Sequence, residues 1–445
     1  MSFPKYPEYK DSGVEWIGDI PAHWITAPIK NLADVINGYP FDSKLFSPTG
    51  QHPLVRIRDL NKIETEANYD GEFLESAAIT PEDVLIGMDG DFNIGRWNGQ
   101  GKALLNQRMC CVRGHKDITS RLIEYALPFP LKAINDITYS TTVKHLSSYQ
   151  VQKTFIALPP HEQEQSAIAA FLDRETAKID ALVAEQEKLI ELLKEKRQAV
   201  ISHAVTKGLD PNVPMKDSGV EWLGEVPEHW EIKRLKHVKD ARLNSFVDGP
   251  FGSNLKSEHF VDDGDVYVIE SNFATTGMLD QEQLKTITFS HFETILRSEA
   301  VEGDIIIAKI GAQFGKSSIL PHIDKRAVVS GNTLKLTINK DICETKWVYY
   351  QLLNLKQNGE IDQLVNGSAQ PALSLGVMNN LIALIPPINE QIHITSVLDG
   401  YFQKNELLIE ESLRAIDLLK ERRAALISAA VTGKIDVRGL AEATQ

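Results

Sequence analysis

The chain contains itself twice, and this constrains its architecture more than any local pattern does. Residues 10–24, KDSGVEWIGDIPAHW, return as residues 216–230, KDSGVEWLGEVPEHW, at an offset of 206. The copies differ only at Ile17/Leu223, Asp19/Glu225, Ile20/Val226 and Ala22/Glu228. A second pair, 164–210 and 390–436, aligns without gaps at an offset of 226, with 21 of 47 positions identical. Just upstream, HLSSYQVQKTFIALPP (145–160) matches ALSLGVMNNLIALIPP (372–387). Between the repeated blocks lie about 130 residues in the first half and about 150 in the second, mostly dissimilar. The layout is constant–variable–constant, written twice.

The second repeated block reads as a helix. In the first copy Ile168, Leu172, Ile179, Leu182, Leu189, Leu193 and Val200 follow helical spacing, with Glu175, Gln186 and Lys196 interrupting the stripe. In the second copy the stripe is Ile394, Leu398, Tyr401, Leu408, Ala415, Leu419 and Leu426, broken by Asn405, Ser412 and Arg422. Lys207-Gly208 supplies a stop signal. Some 40 residues rise roughly 60 Å, and a helix so much longer than the usual ~11–12 residues needs a partner for its stripe. The simplest partner is the other copy.

The variable stretches read as mixed helix and strand. Strands are expected at Pro53–Ile57, Val84–Gly87, Met109–Val112, Asp265–Ile269, Asp304–Ile310 and Thr333–Ile338, with a helix at Lys346–Leu355. DVLIGMDGDFNIGRW (83–97) and DIIIAKIGAQFGKSS (304–318) share a strand, a Gly-rich turn and a basic residue, with one residue inserted in the first. The expected fold class is α+β. Two tandem globular α/β-type modules are each followed by a long helix, and the helices pair as an antiparallel coiled coil with internal pseudo-two-fold symmetry. The divisions are a repeat segment at 1–24, a module at 25–155, a helix at 156–210, a linker with the second repeat segment at 211–230, a module at 231–382, a helix at 383–436 and a tail at 437–445.

Composition narrows the function classes. No window of the 445 residues approaches 18 consecutive apolar positions, so no membrane span is expected. The start of the chain lacks a basic stretch followed by an apolar core, and Cys110, Cys111 and Cys343 are too few for a disulfide framework or a four-thiolate zinc site. A cytoplasmic location is expected. Net charge is -14, which for a whole chain argues against nucleic acid. The deficit is uneven, however: residues 25–155 carry 14 basic and 15 acidic groups, and 231–382 carry 16 and 19. Both stretches are near neutral and can present local positive faces.

Catalytic motifs are missing. Gly311 to Gly315-Lys316-Ser317 is one residue short of a phosphate-binding loop, and Gly90 to Gly95 is followed by Arg96-Trp97. The Pro-Pro pairs in ALPPH and LIPPI lack the Asn or Asp of an adenine-methyltransferase loop, and no Pro-Asp dipeptide, HExxH or GxSxG occurs. No enzymatic activity is expected of the chain itself.

The whole chain resembles the specificity (S) subunit of Type I restriction–modification systems. The resemblance is carried by the duplicated SGVEW motif, PP…EQSAIAAFLDRETAKID, ELLKEKRQAVISHAVTKGLD, and the pieces MDGDFNIGRW, LLNQRMC, TTVKHLSS, DGPFGSNLKS and GSAQPALSL. It implies two target recognition domains, 25–155 and 231–382, each reading one half of a bipartite double-stranded DNA site. The helices would set the spacer and dock methyltransferase (M) subunits, two of them, with motor–nuclease (R) subunits completing a multisubunit complex. S-adenosylmethionine and ATP/Mg would belong to those partners, with no cofactor, metal or catalytic residue here. The alternative is a non-catalytic assembly scaffold, a degenerate subunit that no longer reads DNA.

Base reading draws on Arg, Lys, Asn, Gln and Ser/Thr side chains in loops. The DNA-binding candidates are Arg96, Asn106, Gln107, Arg108, Thr141, Thr142 and Lys144 in the first domain. In the second they are Asn254, Lys256, Gln313, Lys316, Asn332, Ser368 and Gln370. Matching positions in the halves suit structural turns equally, and Asn106-Gln107 could cap a strand. Trp16, Trp24, Trp222 and Trp230 lie where the halves agree, which favours packing over base stacking. Glu164, Gln165, Glu390 and Gln391 stand at the helix starts, as caps or as a methyltransferase contact. Lys194, Arg197, Lys420, Arg422 and Arg423 form a solvated basic face or touch spacer phosphates.

Overall fold

The computed structural model describes residues 3–137, 144–365 and 372–440. The chain divides into two compact units: residues 1–187 with 413–445, and residues 188–412. Each long helix, Glu162–Lys207 and Ile388–Val431, contributes to both.

In the first unit the variable stretch enters and leaves through a two-stranded neck, Ile25–Pro28 antiparallel to Phe155–Leu158. Inside it lie two sheets. One has four antiparallel strands in the order Ile94–Gly95, Val84–Gly87, Met109–Gly114, Ala33–Asn37. The other has five, in the order Phe46–Ser47, Asn68–Tyr69, His52–Val55, Ala103–Leu105, Ala78–Ile79, with one parallel pair between His52–Val55 and Ala103–Leu105. Val84, Leu85 and Ile86 are apolar without alternation because the strand is buried on both faces.

The second unit repeats this plan with a different sequence. Its neck is Glu231–Arg234 against Ile382–Ile385. Its four-stranded sheet runs Phe246–Asp248, Thr333–Leu336, Ile305–Ala308, Ser317–Ile319. Its five-stranded sheet runs Phe260–Val261, Lys285–Ile287, Val266–Ile269, Arg326–Val329, Glu299–Ala300, again with one parallel pair. In sequence order the two units have the same strand arrangement. The buried aspartates Asp83 and Asp304, which open matching strands, are part of it. Asp83 takes two hydrogen bonds from Arg113 (2.7 and 2.6 Å) and Asp304 receives Lys335 and Thr337, so each buried charge is compensated.

Three local expectations are corrected. The strand at Pro53–Ile57 is His52–Val55, because Asp59 accepts the Arg56 N–H (3.1 Å) and turns the next residues into a short helix, Ile57–Asp59. The turn alignment that inserts one residue in the first copy also fails. Gly87 N–H donates to Asn93 O and Ala308 N–H donates to Lys316 O, both at 2.8 Å, so the second turn is two residues longer and the counterpart of Lys316 is Asn93. Finally, Leu182, Leu189 and Leu408 are exposed. The inward stripe runs through Leu172, Thr176, Ile179, Val183, Gln186, Ile190, Leu193 and Arg197, and in the second helix through Leu398, Phe402, Asn405, Ile409, Ser412, Ile416, Leu419 and Arg423. This is a strict alternation of four and three, the period of a coiled coil.

The helices run antiparallel in each unit. In the first, Ile168, Leu172 and Ile179 share a core with Leu426, Ala430 and Val431, and Arg423 meets Asp180 at 2.8 and 3.2 Å. In the second, Ile201, Ala204 and Val205 share a core with Ile394, Leu398 and Phe402, and Arg197 meets Glu406 at 3.5 Å.

Candidate nucleic-acid interface

Four stretches of chain meet at one end of the four-stranded sheet in each unit, and their backbones superpose hydrogen bond for hydrogen bond. In the first unit the turn Asn106–Met109, which carries the chain from the five-stranded sheet to the four-stranded one, closes by Met109 N–H to Asn106 O (3.1 Å). Met88 N–H donates to Arg108 O (2.9 Å), Leu146 N–H to Met88 O (2.7 Å), and Gly38 N–H to Met109 O (2.9 Å). In the second unit the same bonds are Thr333 N–H to Ser330 O (3.0 Å), Lys309 N–H to Asn332 O (2.8 Å), Leu373 N–H to Lys309 O (2.9 Å) and Gly249 N–H to Thr333 O (3.0 Å). Glycine is required at 38 and 249, since a Cβ there would collide with the carbonyl of Asn106 or Ser330. Arg108 and Asn332 thus occupy one structural position with different side chains.

The electrostatics of the two ends differ. Asp89, 14% exposed, receives the Arg108 guanidinium and His145 Nδ1 (2.8 Å). Partial burial pushes its carboxyl up, but the hydrogen bonds from His145 and Arg108 outweigh this and hold it below the usual carboxylate range. The same bond raises the Arg108 guanidinium further above its ordinary value. In the second unit the carboxylate is Asp248, bound by Arg297 (2.6 Å) and Lys309 (3.1 Å), and the Lys309 ammonium lies over the exposed Phe251 ring.

The remaining candidates separate by what already holds them. Gln107 is exposed on the turn beside Arg108, and the Asn106 backbone accepts from Met109 and donates to Val55 O (3.1 Å). Lys144 is clamped to Asn135 O (2.7 Å) and Oδ1 (2.9 Å). Arg96 lies away from this end, held by Glu124 (2.6 Å) and by the carbonyls of Pro81 and Glu82. Gln313 and Lys316 are exposed on the longer turn of the second unit. Asn254 and Lys256 are exposed on the loop after Gly249, steadied by His291 on Asn254 O (2.9 Å) and by Lys256 N–H on His259 Nδ1 (3.0 Å). Thr141, Thr142, Ser368 and Gln370 lie outside the described residues.

Asp89, His145, Asp248, Arg297 and Lys309 were not singled out from sequence. The signal for the first was present, an Asp-Gly at a strand end facing a Lys-His pair 55 residues on, but only the fold pairs them. Among the described residues no cluster of His, Cys, Asp and Glu is arranged to hold a metal, and no helix is long and apolar enough to cross a membrane.

The repeated blocks build the anchor behind the domains. Trp24 is fully buried and donates its indole N–H to Glu164 Oε1 (2.9 Å), where His23 (2.9 Å) and the Tyr6 hydroxyl (2.9 Å) also converge. Trp230 and His229 repeat this on Glu390 at 3.0 and 2.7 Å. Gln165 and Gln391 each donate to the carbonyl of the first proline of a Pro-Pro pair, Pro159 and Pro386, both at 2.8 Å. Packing accounts for Trp24 and Trp230; Trp16 is half-buried against Phe129, and Trp222 is 40% exposed. Of the helix cations, Arg197 and Arg423 are engaged across the pair, while Lys194, Lys420 and Arg422 are exposed.

A family model described as the Type I restriction modification DNA specificity domain matches residues 21–192 and again 227–416. The chain belongs to that family. The two matches reproduce the internal duplication. Among relatives, the Type I restriction enzyme EcoBI specificity subunit of Escherichia coli is 28% identical over 98% of this chain and 91% of its own length. The MjaVIII specificity subunit of Methanocaldococcus jannaschii is 24% identical over 81% of each. Among solved structures, one from a study of type I R-M complex assembly and conformational transition covers 93% of this specificity-family chain and 98% of its own, with a TM-score of 0.69 at 15% identity. The HsdS subunit of Thermoanaerobacter tengcongensis covers 94% and 98%, with a TM-score of 0.50 at 16% identity. These likenesses confirm the fold: mixed sheet domains, each followed by a long helix.

Proposed function

We propose that this chain is the DNA sequence-specificity subunit of a Type I restriction–modification complex. Each variable domain reads one half of a bipartite double-stranded DNA target, and the helix pair sets the spacer and docks two methyltransferase (M) subunits. Motor–nuclease (R) subunits complete the assembly in the cytoplasm. The chain itself catalyses nothing, and S-adenosylmethionine and ATP/Mg are held by its partners. The observation that carries this reading is the pairing of one backbone with two surfaces. The turns at Asn106–Met109 and Ser330–Thr333 share their hydrogen bonds but present Gln-Arg in one domain and Gly-Asn in the other. A shared frame with unlike polar tips is what two half-sites of different sequence require. The set proposed to contact DNA is Gln107, Arg108, Asn254, Lys256, Gln313, Lys316 and Asn332, together with Lys144 and with Thr141, Thr142, Ser368 and Gln370, which lie outside the described residues. Asn106 shapes its turn, and Arg96 supports the domain from within.

The test is to co-express this chain with the adenine methyltransferase (M) subunit of its Type I system and read the host methylome by single-molecule sequencing. The expected result is a new adenine mark in a split motif, two short halves around a fixed gap, and replacement of 231–382 by another domain should change one half alone. Association without any mark would instead support an assembly scaffold.

A further inference from the structure

We infer that Arg108 and Asn332 are matched base-reading positions, Arg108 taking a guanine in the half-site of the first domain and Asn332 an adenine in that of the second. The inference rests on the DNA-reading role proposed above and adds what is read.

The equivalence of the two positions is geometric. Each residue is the third of a four-residue turn, each carbonyl accepts from the residue after the neighbouring strand (Met88 or Lys309), and each turn is packed against an obligatory glycine. Within its own domain, therefore, each side chain leaves the fold from the same place. What differs is the chemistry offered. The Arg108 side chain is 66% exposed, and its contact with Asp89 uses one terminal nitrogen. The remaining N–H groups have no partner among the described residues and stay free for a ligand. A guanidinium fixed by a carboxylate has less freedom to lose on binding, and its planar donor pair matches O6 and N7 of guanine. At the second position the turn itself carries no cation: Lys309, 17% exposed, is bound to Asp248, and Arg297, half exposed and bound to the same carboxylate through one nitrogen, belongs to the short helix Leu296–Ser298 rather than to the turn. The exposed group left at the turn is the Asn332 amide, unpaired among the described residues, with one donor and one acceptor side by side. That pair is complementary to N6 and N7 of adenine and not to guanine.

The test uses the purified complex of this chain with its methyltransferase subunits, on duplexes carrying the split motif found by methylome sequencing. Each guanine of the first half is replaced in turn by 7-deazaguanine, and each adenine of the second by 7-deazaadenine, which removes N7 and leaves base pairing intact. One guanine substitution should weaken binding of the wild-type complex by roughly 5- to 150-fold. The Arg108→Ala complex should be indifferent to that substitution while keeping its full response in the second half, which also reports that it is folded. Asn332→Ala should mirror this for one adenine. A first half without guanine, or a wild-type complex blind to every 7-deaza substitution, overturns the inference. So does an Arg108→Ala complex that weakens on all sequences alike and still responds to each replaced guanine, the behaviour of a phosphate contact. If the wild-type complex neither marks nor prefers a split site, the specificity reading itself falls, a result distinct from these because no variant is involved.

Discussion

Arg423 reaches from the second long helix to Asp180 of the first with two nitrogens, at 2.8 and 3.2 Å, and Arg197 with Glu406 is the same pair written by the repeat, at an offset of 226. Both pairs are partly solvated, so each contributes no more than about 1 kcal/mol. The seam between them holds a costlier feature. Asn405 is 2% exposed, donates to Leu193 O at 3.2 Å, and leaves its Oδ1 without a partner among the described residues, whereas the repeat places Ile179 at the equivalent point of the first helix. Asn405→Leu should raise stability by about 1–2 kcal/mol, because an under-satisfied buried amide is replaced by an apolar side chain. Thermal unfolding of the two proteins side by side measures it, and a lowered Tm would contradict it.

The two anchors should differ in strength. Glu164 is buried and takes Trp24, Tyr6 and His23, while Glu390 is 29% exposed and takes Trp230 and His229. Removing Glu164 strands two buried donors and should cost about 3 kcal/mol, against about 1–2 kcal/mol for Glu390→Ala. Urea unfolding followed by tryptophan fluorescence gives both values, and equal losses would refute the ranking.

Burial pushes the Cys110 and Cys343 thiols up to about 12, and Cys111 higher still. The native chain should therefore leave a thiol reagent untouched at pH 8 and titrate three groups only once unfolded. The linkage has a definite sign. Between about 8.5, where an unfolded thiol ionises, and about 12, the unfolded chain releases protons that the native chain keeps, so stability falls as pH rises through that window. A Tm unchanged between pH 8 and 10.5 would count against it.

Gly38→Ala drives a methyl group into the Asn106 carbonyl and should displace the turn that carries Arg108. In the methyltransferase complex the first half-site should lose its discrimination by tenfold or more while the second half keeps it, and Gly249→Ala should do the reverse. Competition binding on half-site variants reads both; retained discrimination would mean that the turn is not the reading element.

How much of this was legible in the sequence depended on what each pattern reports. The duplication fixed the two long helices and their antiparallel partnership, since a stripe of that length has few places to go. Strands such as Val84–Gly87 announced themselves because burial on both faces leaves a continuous apolar run. The seam register was misjudged at Leu182, Leu189 and Leu408. Leucines occur on both sides of these helices, and only contacts decide between Leu182 and Val183. The shared strand order of the variable domains was invisible, because a backbone framework tolerates almost any side chain that keeps the core filled. Asp89 and His145 illustrate the same limit at the candidate interface: they lie 56 residues apart, and nothing local joins them before the sheet does.

The neck has an evolutionary corollary. Each variable domain begins and ends on two strands clasped to one another, Ile25–Pro28 with Phe155–Leu158 and Glu231–Arg234 with Ile382–Ile385. Whatever lies between those strands departs and returns at one address, and the anchor behind it is written entirely in the flanking blocks. A gene built this way can trade its interior for a stranger's, longer or shorter, by crossing over in the flanks. The inheritance of a new target is then a single exchange rather than a series of point mutations.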